Sequence, residues 1–197
     1  TVDRWHFDVA ATSAGRATIE QVSDAPNGFA NSLKLSCTTA DTSIAAGERF
    51  QIQQRFEGQN LQLVGKGTSG AKPLTVSFYV KANAAFTYGL ELFDGDNNRQ
   101  ITKLFTTTTD WQRVELNFPA DTSGALDDDN ALSFYVIFAI HAGSTYTSGT
   151  LNSDAWAASV NGDRAAGIDS FFSSTSNTLF ITGVQLEVGE KATPFEH

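Results

Sequence analysis

Residues 74–81, with the sequence LTVSFYVK, decide the fold class of this 197-residue chain. Apolar side chains alternate with polar or amphipathic ones along the stretch: Leu74, Val76, Phe78 and Val80 against Thr75, Ser77, Tyr79 and Lys81. Successive side chains of a β-strand point to opposite faces of the sheet. The alternation therefore predicts a strand with one face in a core and the other toward solvent.

The same two-residue period recurs along the chain, and a helical period is nearly absent. It predicts further strands at 5–9, 33–37, 50–56, 86–93, 99–106, 111–118 and 179–188. Segment 132–141 is apolar on both faces, as is typical of a central strand. Clusters of Gly, Asp, Asn and Ser separate these stretches, which indicates an all-β, two-sheet antiparallel β-sandwich of the jelly-roll type. We expect one domain over 1–197, excised from a longer protein, because the pattern begins at once and Thr1 replaces an initiating Met.

Segment 143–177 has a different composition, dominated by Gly, Ser, Thr, Ala and Asn. It predicts a long loop with one helical turn around 153–159. A loop of that length inside a compact domain is usually functional or disordered.

The composition and net charge of the chain restrict the kinds of partner that it can bind. A net charge of -9 opposes binding to nucleic acid and to anionic lipid. The longest apolar stretch, 134–142, is too short to span a membrane. These features favour a glycan or protein partner without membrane insertion. Cys37 is the only cysteine and shares the parity of Leu33 and Leu35, which predicts a buried, unreactive thiol.

Catalytic machinery is hard to assemble from this sequence. Of three histidines, His197 is the last residue, His6 has polar parity and only His141 ends a central strand. No Gly-x-Ser-x-Gly motif and no phosphate-binding loop occur. Glu91 and Glu115 have solvent-facing parity, unlike a pair of glycosidase carboxylates. We therefore expect no enzyme and no required cofactor.

Two acidic turns leave a metal alternative open. Residues 94–98, with the sequence DGDNN, suit a hairpin turn better than a calcium loop, because the Gly and Glu that complete an EF-hand are missing. Asp127, Asp128 and Asp129 form a second such turn. A structural calcium remains the alternative in both, without an assigned set of ligands.

A set of polar side chains is the candidate binding surface: Gln51, Gln53, Arg55, Thr75, Ser77, Tyr79, Lys81, Ser133, Tyr135 and His141. Amides, guanidinium groups and phenols bond sugar hydroxyls, and an aromatic ring covers the apolar face of a pyranose. If the three strands share a sheet, these residues line one concave wall. The alternative is an ordinary wet face, with the two tyrosines packed beneath segment 143–177.

The three tryptophans have different predicted roles. Trp5 has core parity, and Trp111 is expected to cap one end of the sandwich. Trp156, within the sequence DAWA of the polar segment, is the candidate stacking platform for a sugar ring, or else an anchor for its loop.

Several phrases resemble domains of phage structural and tail-fibre proteins and, more distantly, jelly-roll carbohydrate-binding modules. They are DRW (3–5), DAPNGFANSLK (24–34), QRFEG (54–58), LTVSFYVK (74–81), WQRV (111–114), ITGVQLEVG (181–189) and ATPFE (192–196). The resemblance implies a sandwich in a virion or extracellular component, with glycan binding and a possible homo-oligomer. It also implies a calcium site near the last strand, but Gly183 stands where Asp is usual.

Three functions follow from these observations. The first is a non-catalytic carbohydrate-binding module of a phage virion or tail protein, which binds a poly- or oligosaccharide on a concave sheet face. The second is a structural or oligomerising virion domain that binds no sugar. The least favoured is a polysaccharide-degrading enzyme.

Overall fold

Eleven β-strands make up nearly all of the regular structure in a computed structural model that describes residues 5–10 and 13–196. They are β1 Trp5–Val9, β2 Arg16–Val22, β3 Ser32–Thr39, β4 Arg49–Glu57, β5 Leu74–Ala82, β6 Thr87–Asp94, β7 Arg99–Thr106, β8 Gln112–Phe118, β9 Leu132–Ala142, β10 Ala157–Ala158 and β11 Thr178–Val188. Each predicted strand is confirmed to within a few residues. Asp3 and Arg4 of the DRW phrase, and His197, lie outside the described residues.

The strands form two antiparallel sheets, so the predicted sandwich is confirmed. The six-stranded sheet has the order β1-β4-β9-β6-β7-β10, and the five-stranded sheet has the order β2-β3-β11-β5-β8. Strand β9 pairs with β4 and β6, as its apolar faces predicted, and β11 pairs with β3 and β5.

Edge strand β2 is the one long strand that the sequence pattern missed. It lies beside β3 and is mostly exposed. Its inward parity carries Ala17, Ile19 and Gln21, and Ile19 remains 41% exposed. A strand that buries so little apolar surface has almost no alternation to detect.

The core lies between the sheets and is rich in phenylalanine. Phe78 of the five-stranded sheet meets Phe138 and Phe105 of the six-stranded sheet edge-on, with ring centroids 4.9 and 5.0 Å apart. Such edge-to-face contacts add to the stabilisation from burial. Cys37 is buried in this core, as predicted, and burial raises the pKa of its thiol.

Segment 143–177 contains more structure than its composition suggested. It begins with a short helix, α1 Ser144–Thr147, continues into β10, and has three-residue 3-10 turns at Asn161–Asp163 and Phe171–Ser173. The predicted helical turn at 153–159 is wrong, because Ala157 and Ala158 pair with Gln100 and Arg99 of β7. Within the described part of the chain, no helix has the length and apolar composition needed to cross a membrane.

Candidate functional site

The predicted binding wall is divided between the two sheets. Strands β4 and β9 belong to the six-stranded sheet, whereas β5 belongs to the five-stranded sheet. Thr75, Ser77, Tyr79 and Lys81 therefore lie on the opposite outer face from Gln51, Gln53 and Arg55. The prediction of one shared wall was wrong, because alternation shows which side of a strand faces solvent but not which sheet holds the strand.

Tyr79 and Lys81 have their own surroundings on the outer face of the five-stranded sheet. The Tyr79 ring lies 5.2 Å from that of Phe29. Lys81 forms an ion pair with Asp24, and its Nζ lies 5.3 Å from the Trp111 ring centre. The Trp111 Nε1 donates to the same carboxylate at 3.0 Å. Trp111 thus belongs to this outer face rather than to the end of the sandwich.

His141 is turned away from the polar face by an irregularity in β9. The register places Ala139 opposite Gln51 but His141 opposite Phe50, so β9 has one extra residue at this point. A β-bulge of this kind redirects the side chains that follow it. His141 is fully buried, packs against the Phe172 ring at 5.0 Å and bonds the Ser170 Oγ through Nδ1 at 2.7 Å. Its predicted place on the sugar-facing wall is wrong.

Trp156 attaches its segment to the body of the domain. Its Nε1 donates to the Pro119 carbonyl at 2.9 Å, and its ring lies 6.1 Å from Phe134. The Lys66 Nζ lies 5.3 Å from the ring centre. These contacts correspond to the anchoring alternative rather than to a free stacking platform.

Four of the predicted residues do share one outer face, and we call Gln51, Gln53, Arg55 and Tyr135 the polar strip. Arg55 pairs with Tyr135 across β4 and β9. Arg55 donates through Nη2 to the Gln53 Oε1 at 3.1 Å, and the Gln53 Nε2 donates to the Gln51 Oε1 at 2.9 Å. The two glutamines are only 5% and 6% exposed. Arg55 is exposed and Tyr135 half-buried, so these two present the strip to solvent.

Residues 143–170 cover the other half of this outer face, over β6 and β7. The guanidinium of Arg164 makes a two-point ion pair with Glu91 of β6, with N–O distances of 2.7 and 2.9 Å. Thr102 of β7 donates from its backbone to the Asn152 carbonyl and from its hydroxyl to the Arg164 carbonyl. Burial raises the pKa of Glu91, and the Arg164 guanidinium counters that shift.

An aromatic pair marks the boundary between the covered and open halves. Tyr135 meets Phe93 edge-on at 5.6 Å. The Arg55 guanidinium lies 5.8 Å from the Tyr135 ring centre, and that of Arg164 lies 4.6 Å from Phe93. Neither Phe93 nor Arg164 was predicted from the sequence as part of the site. Phe93 could have been found as an aromatic residue at the outward parity of its strand.

A separate groove opens between the two sheets near their β1 and β2 edges, with a volume of about 740 Å³. Trp5 and Phe7 line it together with polar side chains that include Gln21 and Gln54. Trp5 is half-buried and lies 6.1 Å from Phe138, so its core parity is confirmed but its ring also borders the groove. A gap between the edges of two sheets does not change the alternation of apolar and polar residues, so the sequence did not predict this groove.

The acidic turns are engaged in local contacts. Residues 95–98 form the β6–β7 hairpin turn, which confirms that interpretation, and the Asp94 carboxylate is ion-paired with Lys66 and accepts from the Asn97 backbone. Asp127, Asp128 and Asp129 are exposed. Gly183 has a φ of +59°, and a Cβ there would lie 2.6 Å from the Phe29 ring, so an Asp ligand does not fit. Calcium binding at the two acidic turns stays a prediction.

The two strand glutamates do not form a pair. Glu91 lies buried beneath Arg164 on the six-stranded sheet, whereas Glu115 lies on β8 of the five-stranded sheet and is bonded to Arg113 at 3.3 Å. A glycosidase needs two carboxyl groups within about 10 Å around one bond. These two carboxylates face away from each other on opposite sides of the sandwich.

Comparison with known proteins identifies the fold. No protein-family model matches the sequence, and no curated protein matches it significantly. Among solved structures, a carbohydrate-binding module described as CBM4 is 12% identical, with a TM-score of 0.50, over 93% of this chain and 86% of that chain. A xylan-binding domain from CBM family 22 is 10% identical, with a TM-score of 0.51, over 98% and 92%.

A third similar structure is the enzymatically active domain of tailspike protein 4 from bacteriophage CBA120. It is 13% identical, with a TM-score of 0.51, and the match covers 95% of this chain but 20% of that one. At such identities the shared property is the fold. This chain has the jelly-roll sandwich of carbohydrate-binding modules.

Proposed function

We propose that this domain is a non-catalytic carbohydrate-binding module that holds an oligo- or polysaccharide on its polar strip. The observation that carries the proposal is the pairing of Arg55 and Tyr135 on the open half of the outer face. An exposed guanidinium beside a phenol ring offers donors for sugar hydroxyls and a flat apolar surface for the C–H face of a pyranose.

The strip is ordered before any ligand arrives. The Gln53 Oε1 accepts hydrogen bonds from Arg55, and the Gln53 Nε2 donates to Gln51. These bonds to buried glutamines fix the position of the guanidinium. Phe93 supports the Tyr135 ring from the side. Groups fixed in advance lose little conformational entropy on binding, which favours affinity.

The fold and the sequence both support this function. The same sandwich serves in the CBM4 structure and in a domain whose name states that it binds xylan. The sequence phrases that resemble phage tail-fibre domains, together with the shared fold of a bacteriophage tailspike domain, support a place on a virion or another extracellular surface. The separation of Glu91 from Glu115 supports binding without hydrolysis.

Affinity electrophoresis across a panel of bacterial and marine polysaccharides, followed by calorimetry on any hit, tests the proposal. Tyr135→Ala should weaken binding by about 1–3 kcal/mol, by analogy with the loss of aromatic stacking partners for nucleic-acid bases. Arg55→Ala should weaken it by about 1.5–3 kcal/mol, because a charged hydrogen-bond donor is lost. Tyr79→Ala is the matched control, because this tyrosine lies on the opposite sheet and its variant should bind as the wild type does.

Two results would contradict the proposal. If Trp5→Ala abolishes binding while both strip variants retain it, the sugar lies in the groove between the sheets. If no polysaccharide retards the domain and light scattering shows a stable oligomer that protects Tyr135, the structural virion role is correct instead.

A further inference from the structure

Three side chains with metal-binding groups converge at one end of the sandwich. Asp41 follows β3 of the five-stranded sheet, Glu48 precedes β4 of the six-stranded sheet, and His141 is the next-to-last residue of β9. One ligand atom from each lies within 4.8 Å of the other two. The residues are 5%, 3% and 0% exposed. They form an enclosed cluster that contains none of the residues of the two acidic turns at 94–98 and 127–129.

In residues 5–10 and 13–196, no Lys or Arg forms an ion pair with Asp41 or Glu48. Buried carboxylates without a positive partner are strongly unfavourable. A bound cation would stabilise these two carboxylates in addition to the backbone amides that donate to Asp41.

Two atoms within the cluster are buried and lack a hydrogen bond to any described residue: Glu48 Oε2 and His141 Nε2. They lie 3.6 Å apart, which is too long for a hydrogen bond. Two ligand atoms that share one tetrahedral zinc ion stand about 3.4 Å apart, given metal–ligand distances of 2.0–2.2 Å. The separation fits an ion between the two atoms.

The outer contacts of the cluster hold these ligands in position. His141 bonds the Ser170 hydroxyl through Nδ1, which leaves Nε2 directed at Glu48. Asp41 accepts bonds from the backbone amides of Ala14 and Ser43 at 2.9 and 3.2 Å. Metal-binding histidines and carboxylates are usually fixed by such second contacts.

We propose that Asp41, Glu48 and His141 bind one divalent transition-metal ion of the zinc class, which joins the two sheets at this end. An imidazole nitrogen with two carboxylates suits zinc and its neighbours, whereas calcium takes six to eight oxygen ligands. The site stands apart from the polar strip, so it does not depend on the proposed sugar binding.

The test uses tag-free protein treated with a chelator, then mixed with Zn²⁺ and freed of unbound metal by gel filtration. We expect about one zinc per chain by mass spectrometry, and a melting temperature at least about 5 °C above that of the metal-free form. Ca²⁺ alone should not restore the stabilisation. Co²⁺ should bind with a visible absorption band.

Variants locate the ion. Glu48→Gln and His141→Gln should lose the bound zinc and the zinc-dependent shift, whereas His6→Gln, at an exposed histidine of β1, should keep both. Metal-free Glu48→Gln should melt no lower than the metal-free wild type, because glutamine has the same size as glutamate and no Lys or Arg is paired with Glu48 among the described residues. Loss of the zinc-dependent shift in a Glu48→Gln variant that is as stable as the metal-free wild type separates a metal site from a purely hydrogen-bonded cluster, even if His141→Gln fails to fold.

The proposal is overturned if the stripped wild type neither takes up zinc nor gains stability from it. It is equally overturned if Glu48→Gln binds zinc like the wild type, or if Ca²⁺ stabilises the domain as well as Zn²⁺ does.

Discussion

Two arginines lie over neighbouring aromatic rings on the same outer face, yet their surroundings differ. Arg164 belongs to the covered half, where it lies over Phe93 and pairs with the buried carboxylate of Glu91. Arg55 belongs to the open half, where it lies over Tyr135 and donates to the neutral amide of Gln53. The position of a guanidinium over an aromatic ring therefore does not show whether an arginine stabilises the fold or is available to bind a ligand.

What distinguishes the two arginines is the partner and its burial. A carboxylate without access to water requires its guanidinium, so Arg164 is committed to the fold. A neutral glutamine amide does not require a charged partner, and Arg55 keeps guanidinium N–H donors free for a ligand. The same face thus contains a fixed half and an available half, which meet at Phe93 and Tyr135.

Removal of Arg164 should have the largest effect on stability. Arg164→Ala leaves the Glu91 carboxylate buried without a partner, and we expect a loss of about 3–5 kcal/mol in the free energy of unfolding. Arg55→Ala, the matched control, should change it by less than about 0.5 kcal/mol, because Arg55 is exposed. Urea denaturation followed by tryptophan fluorescence measures both. Equal losses would remove the contrast between the two halves.

Loss of Trp156 should have an intermediate effect. Trp156→Ala removes a half-buried ring and its bond to the Pro119 carbonyl, and we expect about 2 kcal/mol less stability, below the loss for a fully buried tryptophan. Hydrogen exchange should show faster exchange across 150–165, with glycan affinity unchanged. Trp156→Phe should lose about 1 kcal/mol, since it removes the hydrogen bond to Pro119 but keeps a smaller aromatic ring in place. Weaker glycan binding at unchanged stability would make the ring a stacking platform after all.

Acid should lower the stability of the covered half by less than the Arg164→Ala and Trp156→Ala substitutions do. Asp121 is ion-paired with Arg99 of β7 and with Lys66. Burial alone would raise the pKa of Asp121, but hydrogen bonds from Arg99 and Lys66 lower it below its ordinary value of 3.8. A depressed pKa contributes stability that is present above that ordinary value and is lost as the pH falls through the folded-state pKa.

Urea unfolding at pH 7, 5, 4 and 3 measures this dependence. Asp121→Asn should show a shallower decline in stability below pH 4 than the wild type, because the titrating group is gone. Parallel declines in the two proteins would show that other carboxylates account for the acid sensitivity.

The sequence predicted strands well because alternation directly reflects burial on one face. The prediction for 99–106 matches β7 residue for residue, and the doubly apolar segment 132–141 is the central strand β9. Sheet membership was not predictable in this way. Tyr79 and Tyr135 both stand at outward-facing positions of their strands. Only the pairing between distant parts of the chain places them on opposite faces of the sandwich.

The remaining surprises come from single residues. One extra residue in β9 moves His141 from the polar face into the cluster with Asp41 and Glu48, and a bulge leaves no mark on composition. Glu91 was expected to face solvent, and it does have that parity. It is buried because residues 143–170 fold over it, an arrangement that depends on Arg164.

The position of β11 determines when the domain can fold during its synthesis. This strand is the last in the sequence, yet it lies between β3 and β5 at the centre of the five-stranded sheet. Until residues 178–188 leave the ribosome, those two strands expose unpaired edges that can pair with other chains. We therefore expect folding to be completed only after residues 178–188 have been synthesised, and pairing between such distant segments favours slow folding.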